Sequence, residues 1–500
     1  MTRFTGFLFS LFLFGLGYSS TAQAQKLEYS SQEIDSYTYD YLRIGGYSDN
    51  GFFLFQSNLP FDTDRDRVGL KSRKLKITFY NNNLTIGWVK KFDKTSDSEK
   101  LENIFVINGK AALVKSYFTG GEGKLAMRIY MLNEQGDEIK PGVEIGSVSF
   151  NTSSELYKIK VISSLHNTCY GFIQNEKKKD GTQAVHGIVT GNDLKALRTF
   201  DFDVPYPEKD FYYDNWLLTD SADFVLEGSY TSRENNPNRR RWDAYKVFAS
   251  VKNANEVKEY AINSSETELN GSKLGYDALQ NKLVIAGFYN EKNSSKSGIV
   301  YASLELTGYD SLRIFRQPIN DVTLLKMLAG SSPGRNGSDI SNLNVEKIVL
   351  RNDGGAVLLA EASYVSDYSY YDYFTQSYIR NSEFHFENAI VLSVNADGTI
   401  DWDAVLRKEQ ISTNDNGRYS SFAVAQTESN IHLIYNTRLE KNNRMSLFTV
   451  NKNGTSSETE IAKAEDRILM IPTGSKQISA NAIALPCWNR KKLVMAKLTF

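Results

Sequence analysis

Residues 388–406 read NAIVLSVNADGTIDWDAVL, two apolar, β-branched runs broken by Ala396-Asp397-Gly398. An Asp-Gly pair between such runs supplies the positive φ that a tight turn needs, so the stretch predicts a β-hairpin. The pattern returns downstream, where Val450-Asn451-Lys452-Asn453-Gly454-Thr455 repeats Val394-Asn395-Ala396-Asp397-Gly398-Thr399 with the glycines 56 positions apart. Upstream, Leu84-Thr85-Ile86-Gly87-Trp88 after Asn81-Asn82-Asn83 matches Thr399-Ile400-Asp401-Trp402 almost residue for residue. The hairpin is a repeated unit, and it specifies a fold far more sharply than a function.

Aligned on that hairpin, the chain divides into units of four strands, a to d, with Asn, Asp or Gly in the c–d turn. The first spans 39–93, with b at 51–55, c at 74–80 and d at 84–92. The second spans 101–148, with c at 124–132, the turn Asn133-Glu134-Gln135-Gly136 and d at 138–145. The third spans 156–204, with b at 169–174, c at 183–189, the turn Gly191-Asn192-Asp193 and d at 194–202. Units four to six share a b-strand phrase: Val225-Leu226-Glu227-Gly228-Ser229-Tyr230, Val284-Ile285-Ala286-Gly287-Phe288-Tyr289 and Leu359-Ala360-Glu361-Ala362-Ser363-Tyr364. The seventh spans 419–464, and the last, 468–500, holds only a, b and c. Residues 26–34 at the other end resemble an unattached d strand, which would complete that last unit and close a ring. Periods of about 40–60 residues with four short strands each are the pattern of β-propeller blades. The expected fold is all-β, a β-propeller of eight four-stranded blades closed by the N-terminal strand, with seven blades as the alternative.

A barrel or sandwich with one wet face would alternate apolar and polar residues. Here residues 282–288, 356–360 and 493–496 are apolar on both faces, as strands between two neighbouring sheets are. Phe500 resembles the aromatic ending of outer-membrane barrels, but the two-sided run before it predicts a buried strand. With their Asp/Asn-Gly turn and following Trp, the hairpins resemble the repeats of secreted bacterial β-propeller proteins over most of the chain. That resemblance implies architecture and is nearly silent on activity. The turn at Lys252-Asn253-Ala254-Asn255 departs from it.

Arg3, an apolar run to Leu16 and Ala22-Gln23-Ala24 predict a cleaved signal peptide over residues 1–24, with a single β-propeller domain over 25–500. The apolar run is shorter than the ~18–20 residues of a spanning helix, so no integral membrane segment is expected. Export follows, to the periplasm or the outside. A net charge of -1 offers no field for nucleic acid. Two cysteines, Cys169 and Cys487, do not make a disulfide scaffold, and they lie in the third and last units. Stability must come from packed strands, which 29 Tyr and 28 Phe favour.

The a–b and c–d turns are short. The long connections are b–c loops at 58–71, 231–241 and 365–387 and a d–a loop at 320–342, all on one face, and extra length on one face marks a binding face. The longest carries Tyr368, Tyr370, Tyr371, Tyr373 and Tyr378, whose flat rings and hydroxyls suit a sugar or a protein partner. Rings plugging a wide channel would account for the same residues. Arg240 and Trp242, in Arg239-Arg240-Arg241-Trp242 near Arg233, could clamp an anion or simply end a solvated loop. Asp62, Asp64 and Asp66 have calcium-loop spacing, but Arg65 and Arg67 neutralise them and no Glu closes the shell. Gly330-Ser331-Ser332-Pro333-Gly334 matches G-x-S-x-G without the strand and helix a nucleophile elbow needs. His166, His186, His385 and His432 show no ligand spacing, so neither a metal nor a cofactor is expected. Residues 393–402 resemble the Asp-box turn of sialidases, which is structural, and the arginines of a sialidase site do not assemble. The expected function is a non-catalytic, exported binding or scaffolding module for an envelope protein or an extracellular glycan. A carbohydrate-active hydrolase or lyase on the same scaffold is the alternative.

Overall fold

The computed structural model describes residues 25–31, 41–61, 74–92, 99–119, 124–149, 155–156, 159–207, 209–230, 244–250, 257–262, 267–291, 296–307, 312–320, 323, 340, 342–439, 443–463, 468–489 and 492–500. Within them the chain forms eight antiparallel sheets, one after another. The first joins Tyr41–Ser48, Gly51–Ser57, Leu75–Asn81 and Ile86–Phe92 in sequence order. The same order governs the second (100–149), fourth (211–261), fifth (267–318) and seventh (422–462); in the third (155–204) two short strands, Glu155–Leu156 and Lys160–Ser163, share the strand Cys169–Lys177, and in the sixth (343–413) Gln410–Thr413 joins Ser377–Val394 as a fifth strand.

The eighth differs as the sequence predicts. Its own strands are Ile468–Met470 and Lys476–Ser479, both on Ala482–Asn489, followed by Lys492–Thr499. The outer position is taken by Lys26–Tyr29, antiparallel to Lys492–Thr499 with Lys26 opposite Thr499. Ser30 extends the tie: its N–H donates to the Met495 carbonyl (2.8 Å) and its hydroxyl oxygen accepts the Met495 N–H (3.1 Å). Of the predicted closing stretch, residues 32–34 lie outside the described residues, as do residues 1–24.

The second strands are buried on both faces, Gly51–Ser57 along its whole length, because each sheet is packed between two others. Fourth strands such as Ile86–Phe92 alternate half-buried and exposed. Apolar clusters bridge successive sheets. Phe55 and Ile77 of the first meet Ile104 and Leu113 of the second; Leu359 of the sixth meets Leu433 and Phe448 of the seventh. The last cluster joins Leu493 and Met495 of the eighth to Phe52, Leu54 and Tyr80 of the first. The sheets are therefore linked in cyclic order, a β-propeller-like arrangement. Cys169 and Cys487 are buried thiols in different clusters.

The repeated hairpin has a specific geometry. The Gly398 N–H donates to the Asn395 carbonyl (2.9 Å) and the Asn395 N–H to the Thr399 carbonyl (2.8 Å), with Gly398 alone at positive φ (+83°). That is a three-residue turn closing in a bulge rather than a two-residue one. Gly136 and Gly454 repeat it at φ +79°. At each, the glycine rests on an aromatic ring of the preceding sheet: an added Cβ would lie 2.6 Å from Trp88, 2.6 Å from Phe315 and 2.9 Å from Trp402 for Gly136, Gly398 and Gly454. At two further turns the same position carries leucine, in the third sheet beside an outer strand, Val143–Ser149, that has no aromatic residue. Leu84 (φ +65°) enters the cluster between the eighth and first sheets, and Leu194 (φ +64°) the cluster between the second and third. The left-handed strain, ~1–2 kcal/mol for a residue with a Cβ, is offset by burial of the side chain.

Candidate functional site

The stretch expected to be a loop at 365–387 is not one. The second and third strands of the sixth sheet, Ala356–Asp372 and Ser377–Val394, run on beyond the sheet as a two-stranded ribbon. Its Val, Tyr, Phe and Ser residues favour extended backbone, and each strand finds a partner in the other. The register breaks once, between Glu361 and Ser363, where Glu387 and Asn388 bulge and the ribbon leaves the sheet. Beyond the bulge Gln410–Thr413 pairs with residues 383–386 on the outer edge. At the tip the Asp372 carboxylate accepts the Phe374 N–H (2.8 Å) and the Thr375 hydroxyl (3.0 Å).

The ribbon gathers all five predicted tyrosines and exposes them. Tyr373 is 84% and Phe374 100% exposed, so these rings do not plug a channel. Tyr371 meets Tyr373 and its cross-strand partner Tyr378 edge-on, both at 5.2 Å, while Tyr364 stacks on His385 at 4.4 Å. Arg240 and Trp242 lie outside the described residues, as do Arg233, Asp62, Asp64, Asp66, Gly330 to Gly334 and Asn253.

The ribbon's base is held by a buried polar network that sequence reasoning missed. The Lys408 ammonium pairs with Glu361 and donates to Gln410 Oε1 (2.9 Å), while Gln410 Nε2 donates to the Asn436 carbonyl (2.6 Å) in the seventh sheet. Burial lowers the Lys408 pKa, and Glu361 opposes that fall. A buried pair of this kind adds little net stability; through Gln410 it ties the base of the ribbon to the seventh sheet.

A second set of charges lies along the first strands of the fourth to sixth sheets. Those strands bulge at equivalent places, Asp214 and Glu346, with Glu102 in the second sheet a further case. Beside Asp214, Glu227 is fully buried; its carboxyl receives the Asn215 amide (2.5 Å) and the Ser272 hydroxyl. Burial pushes Glu227 up to about 7, and Asp214 adds to the rise. Glu346, beside Glu361, is also raised, by the surrounding protein first and by Glu361 second. Lys273 acts on both and favours their ionised forms. Glu227 and Glu361 occupy the same place in the repeated b-strand phrase, and a Glu amid residues buried on both faces was the available signal. Among the described residues no three His, Cys, Asp or Glu side chains gather to hold a metal. His186 bridges three strands of the third sheet, between Glu176 (2.8 Å) and Asp201 (3.0 Å), and His432 stacks on Phe500 at 4.1 Å.

No family model matches this chain, and no curated protein does. Among solved structures it is similar to the apocarotenoid oxygenase of Synechocystis, at 8% identity over 97% of this chain and 95% of that one, with a TM-score of 0.35. It is similar to the Bombyx mori GH32 beta-fructofuranosidase at 9% identity over 93% and 92%, with a TM-score of 0.29. Galerina marginata prolyl oligopeptidase B is matched at 8% identity over 93% of this chain and 54% of that one, with a TM-score of 0.39. The chain spans about half the length of the prolyl peptidases it matches. Likenesses this weak say nothing of activity.

Proposed function

We propose that the chain is an exported, eight-bladed β-propeller of the secreted bacterial repeat type, acting as a binding or scaffolding module. Its partner is an envelope protein or an extracellular glycan, recognised through the tyrosine-rich ribbon. The carrying observation is the ribbon itself: a two-stranded arm continuous with the sixth sheet, holding Tyr368, Tyr370, Tyr371, Tyr373 and Tyr378 in solvent. Exposing that much aromatic surface is unfavourable for a free protein, and clustered aromatic residues dominate recognition hot spots. Eight sheets linked cyclically and sealed by the N-terminal strand support the propeller reading. The test replaces Tyr370, Tyr371 and Tyr373 with Ala and compares pull-down partners and glycan-array binding with the parent. Loss of at least ~2 kcal/mol in binding is expected; a triple variant that keeps every partner refutes the reading.

One observation favours the second reading, a carbohydrate-active enzyme. Burial lifts Glu227 to about 7, and a carboxyl that stays protonated near neutral pH is what a general acid needs. Turnover of any array glycan that Glu227→Gln abolishes would establish that reading in place of the first.

A further inference from the structure

At the end of the sheets away from the ribbon, the same place in two repeats is hollow. A cleft of about 890 Å³ between the first and second sheets opens over Phe53, Phe79 and Trp88. A cleft of about 300 Å³ between the sixth and seventh opens over Val357, Ser393 and Trp402. Strand pairing makes these trios equivalent: Phe53 lies opposite Phe79 and Phe79 opposite Trp88, as Val357 lies opposite Ser393 and Ser393 opposite Trp402. Arg351 lines the smaller cleft, where its Nη1 donates to Ser393 Oγ (2.6 Å) and to Asp401 Oδ2 (3.0 Å). In the first sheet Ser48 stands at the place of Arg351 and Gly87 at that of Asp401, so the larger cleft has no such bar. The larger cleft is also preformed. Asn82 ties its two first-sheet turns together, donating its N–H to the Asn50 carbonyl (3.1 Å) and its side-chain amide to the Asp49 carbonyl (2.7 Å). The Asn108 amide anchors the facing wall to the Asn192 carbonyl of the third sheet (2.9 Å). The turns that frame it, residues 47–51, 81–85, 108–110 and 132–137, all lie among the described residues, and Tyr47 stands 51% exposed at the rim.

We propose that the larger cleft is a binding site for a neutral oligosaccharide. Its volume falls within the ~300–1,000 Å³ of small-molecule sites, which combine apolar and aromatic walls with a few placed polar groups. Phe79 and Trp88 are only half-buried, and their rings give the apolar C–H face of a sugar a footing. Around them Asp49, Asn50, Lys110 and Glu134 line the cleft, and among the described residues their side chains make no hydrogen bond or ion pair. Sugar hydroxyls donate and accept at once, and this set offers both: amide and ammonium donors, amide and carboxylate acceptors. One lysine against two carboxylates gives no excess of positive charge to hold an anion. The smaller cleft keeps the tryptophan, but Arg351 crosses it. The site lies at the opposite end of the sheets from the ribbon and does not depend on the ribbon's role.

The test screens the protein on an array of neutral oligosaccharides and follows the best-retained one by isothermal titration. Ser48→Arg sets a bar where the sixth sheet has Arg351, and Tyr47→Ala/Asn50→Ala strips the rim. These positions lie on a surface turn whose backbone bonds to Asn82 remain, so both variants should keep the parent's melting temperature. Each should bind the retained oligosaccharide at least ~10-fold more weakly. A parent that retains no neutral oligosaccharide, or folded variants that bind as tightly as the parent, would overturn the proposal. So would an oligosaccharide lost by Tyr370→Ala/Tyr371→Ala/Tyr373→Ala and kept by Ser48→Arg, which would belong to the ribbon alone. An oligosaccharide kept by that triple variant and lost by both cleft variants establishes the cleft, whatever the ribbon binds.

Discussion

Glu227→Gln should change how the stability of this protein depends on pH. The Glu227 carboxyl is fully buried between the fourth and fifth sheets, and burial lifts its pKa from 4.5 to about 7. Below pH 4.5 the group is protonated in both folded and unfolded chains. Between 4.5 and 7 the unfolded chain has released its proton while the folded one retains it, so unfolding becomes easier as pH rises. Each unit between the two values is worth 1.36 kcal/mol, so the full loss is about 3 kcal/mol, complete above the folded value. Glutamine keeps the shape and hydrogen bonds of the protonated form and does not titrate. The variant should therefore match the parent at pH 4.5 and exceed it by about 3 kcal/mol at pH 8. Urea unfolding followed by tryptophan fluorescence at pH 4.5, 6 and 8 measures the difference, in which other titrating groups cancel. A gap between parent and variant that does not change with pH would refute the reasoning.

Lys408→Met strands Glu361 in apolar surroundings and should cost about 3–5 kcal/mol by urea unfolding, most of it recovered when Glu361→Leu is added. Trp402→Ala and Gly454→Leu should each destabilise, the one leaving a void and the other driving a side chain into the ring. The double variant recreates the leucine arrangement seen at Leu194, so a thermal-denaturation cycle should show coupling of about 1 kcal/mol or more in favour of the pair. Deleting residues 25–30 removes the outer strand of the eighth sheet and should lower the melting temperature in one cooperative step; an unchanged value would exclude its closing role. Cys169 and Cys487 should resist a thiol reagent in the folded protein and react together on unfolding, and a Cys169–Cys487 crosslink in non-reduced peptide maps would contradict their placement.

The strand order was legible because two signals repeat in phase: the turn glycine and the two-sided apolar b strand. The shortened last unit then implied the role of Lys26–Tyr29. The leucine turns were legible only as departures, since what decides between Gly454 and Leu194 is the ring or its absence on a different sheet. Residues 365–387 were misread because their length suits a loop, although Tyr368, Tyr370 and Tyr371 are strong strand formers; their pairing with Asn381, Ile379 and Tyr378 is a property of both halves together. Glu227 and Glu361 sat in plain view inside the repeated phrase. Lys408 carried no signal at all, because its meaning comes from Glu361, 47 positions earlier.

The strand that completes the eighth sheet sets a timetable for biosynthesis. Lys26 must wait for Thr499, 473 positions later, and at ~5–20 residues per second that is on the order of half a minute to a minute and a half. Throughout that interval Phe52, Leu54 and Tyr80 face an empty place, because the neighbour that will cover them has not been made. Earlier sheets can stack as they emerge, but the body stays open at one seam until its final residues arrive. A long-lived apolar seam calls for a holding chaperone during synthesis, and an arrest late in translation would leave a nearly complete protein with its stickiest surface uncovered.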